Sequence, residues 1–157
     1  MLLICGFILI GCNGKKDQYR KVVESWIGKE IVFPVLKAKH EGRDILCNEL
    51  WNAKYKILHY VDTIGCTKCK LRLFDRRNYL KKLENDSSDV TCIFVLGIPD
   101  FKDFEQLQKE NLFKWPVFYD PEMKLNELNQ FPNESMLQTF LLNENNQVIA
   151  IGDPIKK

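Results

Sequence analysis

Residues 56–71, KILHYVDTIGCTKCKL, constrain this chain more than any other stretch. Residues 57–61 are a short apolar, aromatic and β-branched run that fits a buried strand, while Leu71, Leu73, Phe74, Leu80 and Leu83 recur at roughly helical spacing. The chain is therefore expected to pass from a strand through a Cys-x-x-Cys turn into a helix ending near Glu84. That places Cys66 and Cys69 at a helix N-terminus, where unpaired N–H groups and the helix dipole favour negative charge and stabilise a Cys66 thiolate. Cys69, one turn on, is near enough to close a disulfide with it. Lys68 and Lys70 add positive charge that lowers a thiol pKa further, and Thr67 and Lys68 tune the redox potential from between the cysteines.

Other uses of this spacing are narrower. A structural zinc site needs four ligands; no second Cys-x-x-Cys or close histidine pair exists, and His40 and His59 stand alone, so no metal and no cofactor is expected. A static disulfide in a scaffold that only binds a partner fits the same two residues. His59, inside the expected strand, reads as a satisfied core or edge histidine rather than a base. Cys92 lies in the apolar run 90–96 and reads as a small buried hydrophobe, whereas Cys47 fits an inert thiol better than a second reactive one.

With 157 residues the chain can bury one core and make one domain. Its net charge is only +2, and the 23 basic and 21 acidic side chains are interspersed, without the basic face that nucleic acid requires. Residues 1–12 form an apolar run too short to cross a bilayer as a helix and about the length of a signal-peptide core. Leu9-Ile10-Gly11-Cys12 resembles a bacterial lipobox, with Cys12 the lipidated residue, although no basic residues precede the run. Residues 13–18 then read as a polar tether and 19–157 as the domain, which reads as truncated at its C-terminus. An exported domain retains Cys47, Cys66, Cys69 and Cys92 in a compartment where disulfides persist, so a redox partner must set the state of the Cys-x-x-Cys pair.

Along the chain, residues 19–27 carry Val22, Val23, Trp26 and Ile27 at helical spacing and stop at Gly28. Residues 29–34 read as an edge strand closed by Pro34, residues 37–44 as a loose polar segment, and residues 45–51 are too short and mixed to assign. Polar residues 85–89 end the helix that follows the cysteines. A strand from Val90, a helix opened by Pro99-Asp100, a short strand at 115–120 and a short helix at 122–129 come next. This alternation predicts a largely parallel sheet with helices on its faces. Two apolar runs, 137–142 and 148–151, flank the asparagine-rich residues 143–147 and read as a β-hairpin.

The order strand, Cys-x-x-Cys, helix, strand, helix, short strand with Phe118-Tyr119-Asp120, and then TFLLNENNQVIAIGDP resembles the thioredoxin-like domains of the TlpA/ResA type. These are membrane-anchored, extracytoplasmic thiol-disulfide oxidoreductases of bacteria. The likeness spans residues 28–154, with Thr139 to Val148 matching the family's terminal hairpin. It implies a thioredoxin-like α/β fold, a central mixed sheet with helices on both faces. It also implies that Cys66 is the attacking thiol and Cys69 the resolving one, acting on protein disulfides or dithiols with a redox donor or acceptor protein as second partner. Gly65 stands before Cys66 where the family has tryptophan. Gln138 stands before Thr139 where it has a cis-proline facing the disulfide, and Tyr60 occupies the position six before Cys66 where an ionisable residue is common. A peroxiredoxin-like peroxidase is the alternative enzyme class, for which Thr63 and Cys66 supply only the Thr-x-x-Cys spacing; the non-enzyme alternative is an anchored binding module on the same scaffold.

Overall fold

The structure, a computed structural model, describes residues 14–41, 43–45, 48–62, 71–86 and 89–155. In chain order the elements are α1 (Gly14–Trp26), β1 (Lys37–His40), β2 (Arg43–Ile45), α2 (Asn48–Trp51), β3 (Tyr55–Val61), α3 (Leu73–Asn85), β4 (Val90–Leu96), α4 (Lys102–Glu110), β5 (Val117–Tyr119), α5 (Lys124–Asn129), a 3-10 turn at Ser135–Leu137, β6 (Thr139–Leu142) and β7 (Val148–Ile151). The run at 57–61 forms the expected central strand, because β3 has β4 on one side and β6 on the other. Its last six residues are all buried, as a strand covered on both faces must be.

The strands make one sheet in the order β2-β1-β5-β4-β3-β6-β7. Among the described strands only β3–β4 and β4–β5 are parallel, each joined by a helical crossover through α3 or α4; the other pairings are antiparallel. The sheet is thus mixed, as the family resemblance implies, rather than largely parallel as the alternation of elements alone suggested, because hairpins extend both of its ends. One of those hairpins corrects the reading of residues 37–44 as a loose segment. β1 and β2 pair through Lys39 and Asp44, and β1 lies against β5 with Ala38 opposite Phe118. An edge hairpin needs little apolar alternation, and Ala38 is the one buried residue of β1. The expected edge strand at 29–34 is reduced to a single bridge between Glu30 and Gln147, flanked by Ile31 N donating to Asn146 O at 2.9 Å and Val148 N to Lys29 O at 2.8 Å.

Side-chain alternation along the strands divides the core into two layers. Leu58, Tyr60, Ile93, Val95, Phe118 and Phe140 pack with Trp26 of α1 and Leu125 of α5 on one face. Val61, Phe94, Leu96 and Val117 pack with Leu73 and Leu80 of α3 and Phe104 of α4 on the other. Helices therefore cover both faces, and each large buried side chain contributes about 1.5–3 kcal/mol. Lys56, fully buried in β3, is compatible with this core because its Nζ donates to the carbonyls of Trp51, Ala53 and Glu144 at 3.3, 3.1 and 3.1 Å. Three carbonyls satisfy its three donors.

Helix boundaries add two corrections. α1 begins at Gly14 and so takes in residues 14–18 of the expected tether; it stops where anticipated, at Gly28, whose φ of +83° is available to glycine at little cost. The helix after the cysteines starts at Leu73, preceded by Arg72 in the left-handed region at φ 42°, ψ 51°. Leu71 is itself helical, so the helical run is interrupted at Arg72 and resumes as α3, while the expected place of Cys66 and Cys69 at a helix start lies outside the described residues.

Candidate functional site

The parallel strands β3, β4 and β5 end side by side at Asp62, Gly97 and Asp120, the edge of an open α/β sheet where ligands and reactive groups usually collect. The connection of residues 63–70 leaves β3 at this edge and returns at Leu71. Gly65, Cys66, Thr67, Lys68 and Cys69 belong to that connection and lie outside the described residues, as do Cys12 and Cys47.

Gln138 and Thr139 are described, and both are drawn to the strand that leads into the cysteine turn. The Gln138 Nε2 donates to Asp62 Oδ2 at 2.7 Å and to the Pro132 carbonyl at 2.9 Å, and the Gln138 carbonyl accepts the Tyr60 N–H at 3.0 Å. Asp62 is itself buried. A carboxylate at the last position before the turn is thus held in place by the residue that stands at the family's proline position. Proline has no side-chain donor, so this bond belongs to glutamine.

Tyr60, six residues before Cys66, is not a proton acceptor at neutral pH. Burial, and then the negative charges of Asp120 and Asp62, hold its hydroxyl well above the ordinary tyrosine range. Its ring packs tilted against Phe131, with centroids 5.0 Å apart, and presses on Gly97, where any Cβ would collide with the Tyr60 hydroxyl. Asp120 has a structural task, accepting the N–H groups of Lys124 at 2.9 Å and Leu125 at 2.8 Å at the start of α5.

On the other face of β3, His59 is the satisfied core histidine that its strand position suggested. Its Nδ1 lies 2.7 Å from Thr139 Oγ1 and its Nε2 3.1 Å from Arg76 Nη2. A guanidinium can only donate, so Nε2 accepts and the ring proton sits on Nδ1, toward Thr139. Arg76 also pairs with Asp153 at 2.8 Å, both side chains being almost wholly buried. Sequence reading passed over Arg76 and Asp153. The available signal was Arg76 at the apolar spacing set by Leu73 and Leu80, a charge on the face of α3 that meets the core.

Comparison with known proteins adds the fold. No protein-family model matches the chain, and no curated protein does either. Solved structures do match. The thioredoxin domain of a thiol-disulfide oxidoreductase from Bacteroides vulgatus superposes with a TM-score of 0.57 at 18% identity, covering 80% of this chain and 86% of that one. The fold is thioredoxin-like. StoA from Bacillus subtilis matches with a TM-score of 0.53 at 23% identity, over 76% of this chain and 90% of that one. A reduced 2-Cys peroxiredoxin from Plasmodium vivax matches at 0.56 and 13%, over 84% and 88%.

Within this thioredoxin-like fold Cys92 faces α3 from β4, beside Leu80 and Leu83. Burial pushes its thiol up to about 12, with Arg76 pulling weakly the other way, so it is neither nucleophile nor ligand at neutral pH. Its folded-state value lies above the unfolded value of 9.0, so the stability it contributes is complete below pH 9 and is lost as pH rises toward 12. Cys92→Ala should flatten the fall of stability above pH 9, measured by urea unfolding at several pH values, where this thiol contributes at most about 1.4 kcal/mol per unit. Rapid alkylation of Cys92 in the native protein at pH 7 would contradict this.

Proposed function

We propose that this chain is a membrane-anchored, extracytoplasmic thiol-disulfide oxidoreductase working through Cys66 and Cys69. The observation that carries the reading is the position of the Cys-x-x-Cys connection, which leaves the carboxyl end of the buried central strand and leads into α3 in a thioredoxin-like fold. Solved neighbours of that fold include a thiol-disulfide oxidoreductase. Residues 1–12 act as a lipoprotein signal, Cys12 carries the lipid, and the partners are protein disulfides together with a redox protein that restores the dithiol.

In the exchange, the Cys66 thiolate attacks one sulfur of a substrate disulfide and the other substrate sulfur leaves as a thiolate. The Cys69 thiolate then attacks Cys66 of the mixed disulfide, so the substrate is released as a dithiol and the two electrons it gained leave Cys66 and Cys69 joined. Gly65, Thr67 and Lys68 adjoin the two cysteines in sequence, and Gln138 and Thr139 hold Asp62 and His59 of the strand that leads to them.

The test is reduction of insulin disulfides in the presence of a small dithiol, followed by turbidity. The wild-type chain should accelerate precipitation well beyond the dithiol alone. No acceleration, with the cysteines found joined and resistant to the dithiol, would support the binding module with a static bridge instead. The peroxiredoxin among the solved neighbours motivates a parallel assay for peroxide consumption. Activity there without insulin reduction would favour the peroxidase class.

A further inference from the structure

We propose that Arg76 is a positioning residue for the reactive thiols: it grips the Leu71 carbonyl and so fixes the point at which the chain returns from the Cys-x-x-Cys turn. The role rests on the dithiol reading above. Leu71 is two residues past Cys69 and immediately precedes the left-handed Arg72. The ladder of α3 begins with Arg76 N donating to Arg72 O at 3.0 Å, and the Leu71 carbonyl, one residue earlier, is taken by Arg76 Nε at 3.1 Å. A side chain from inside the helix therefore holds the junction that lies just outside it.

The grip is rigid because the guanidinium is itself held. Its Nη2 donates to Asp153 Oδ2 at 2.8 Å and to His59 Nε2 at 3.1 Å, so β3 and the C-terminal segment fix the fork in two further directions. Asp153 is seated by its own surroundings: Gly152 N donates to Thr139 O at 3.0 Å, and Asp153 Oδ1 accepts Ile155 N at 3.2 Å. Arg72 repeats the connection from the surface, bonding Asp75 at 2.7 Å and donating Nη1 to the Ile155 carbonyl at 3.1 Å. Two arginines one turn apart thus strap residues 153–155 to the start of α3. Only a planar fork reaches Leu71, His59 and Asp153 together; a lysine keeps the charge but has one point from which to donate.

Arg76→Lys and Asp153→Asn test this, each being mild enough to retain a cooperative thermal transition. Two quantities are read by mass spectrometry: amide exchange of the peptide covering residues 63–71, and the pH midpoint for alkylation of Cys66. Both variants should exchange that peptide about tenfold faster and raise the alkylation midpoint by about one pH unit, because the thiolate loses its fixed surroundings. Lower melting temperature with an unmoved midpoint would mean a purely structural ion pair and overturn the proposal. A wild-type Cys66 that titrates like a free thiol would overturn the dithiol reading and this role with it. A lowered wild-type midpoint that neither variant shifts would overturn the role alone.

Discussion

Cys69→Ser should accumulate a covalent complex with a substrate protein, whereas Cys66→Ser should trap almost none and lose insulin reduction altogether. The asymmetry follows from the division of labour between attacking and resolving thiols. With Cys66 intact the mixed disulfide still forms, but without the Cys69 thiolate the resolving attack on Cys66 is lost and the substrate stays bound. Without Cys66 the first bond is never made. Cys92 does not substitute readily, because its partly buried thiol is pushed up to about 12 on β4, facing α3. Non-reducing gels of cells carrying each variant, with the captured bands released by a reductant, measure the difference. If neither single variant traps a partner and neither thiol reacts unusually fast at neutral pH, the static-disulfide binding module becomes the better account.

Arg76→Met should cost about 3–5 kcal/mol of stability, the range for removing one partner of a buried ion pair. The cost arises mainly from what is left behind. Asp153, with a side chain 0% exposed, loses the cation beside it, and His59 Nε2 and the Leu71 carbonyl each lose a donor. For a chain of this size such a loss lowers the melting temperature by roughly 10 °C. Replacing Asp153 by leucine in the same chain should recover part of it, since exchanging both members of a buried pair for apolar groups removes the desolvated carboxylate along with the cation. Urea unfolding of the single and double variants reads both effects. A loss below about 1 kcal/mol in Arg76→Met would show that the pair is as inconsequential as an exposed one.

What was legible in the sequence was whatever a buried element imposes on its residues. β3, β4 and the hairpin of β6 and β7 were readable because strands packed on one or both faces must be apolar at most or alternate positions. α4 was readable from Pro99-Asp100, which opens it after β4. The β1–β2 hairpin was not, since at the sheet edge Ala38 alone had to be apolar, and the mixed character of the sheet was legible from the family pattern but not from strand–helix alternation, because it depends on where hairpins dock. The same limit applies around the site. Cys66 and Cys69 stood out by type and spacing, and Gln138 and Thr139 by their place in a family pattern. The Asp62–Gln138 bond and the Arg76–Asp153 pair join residues 76 and 77 positions apart, which no local pattern records.

The reduction potential of the Cys66–Cys69 couple, measured by equilibration with glutathione buffers and mass spectrometry of the alkylated thiols, bears most directly on whether this chain exchanges disulfides. An exchange protein should give a value between about −120 and −270 mV, the range of thioredoxin-fold oxidants and reductants, with one thiol reacting below pH 8.5 in the reduced form. A couple more reducing than about −300 mV, unreactive toward other disulfides, would be a structural bridge and would contradict the account.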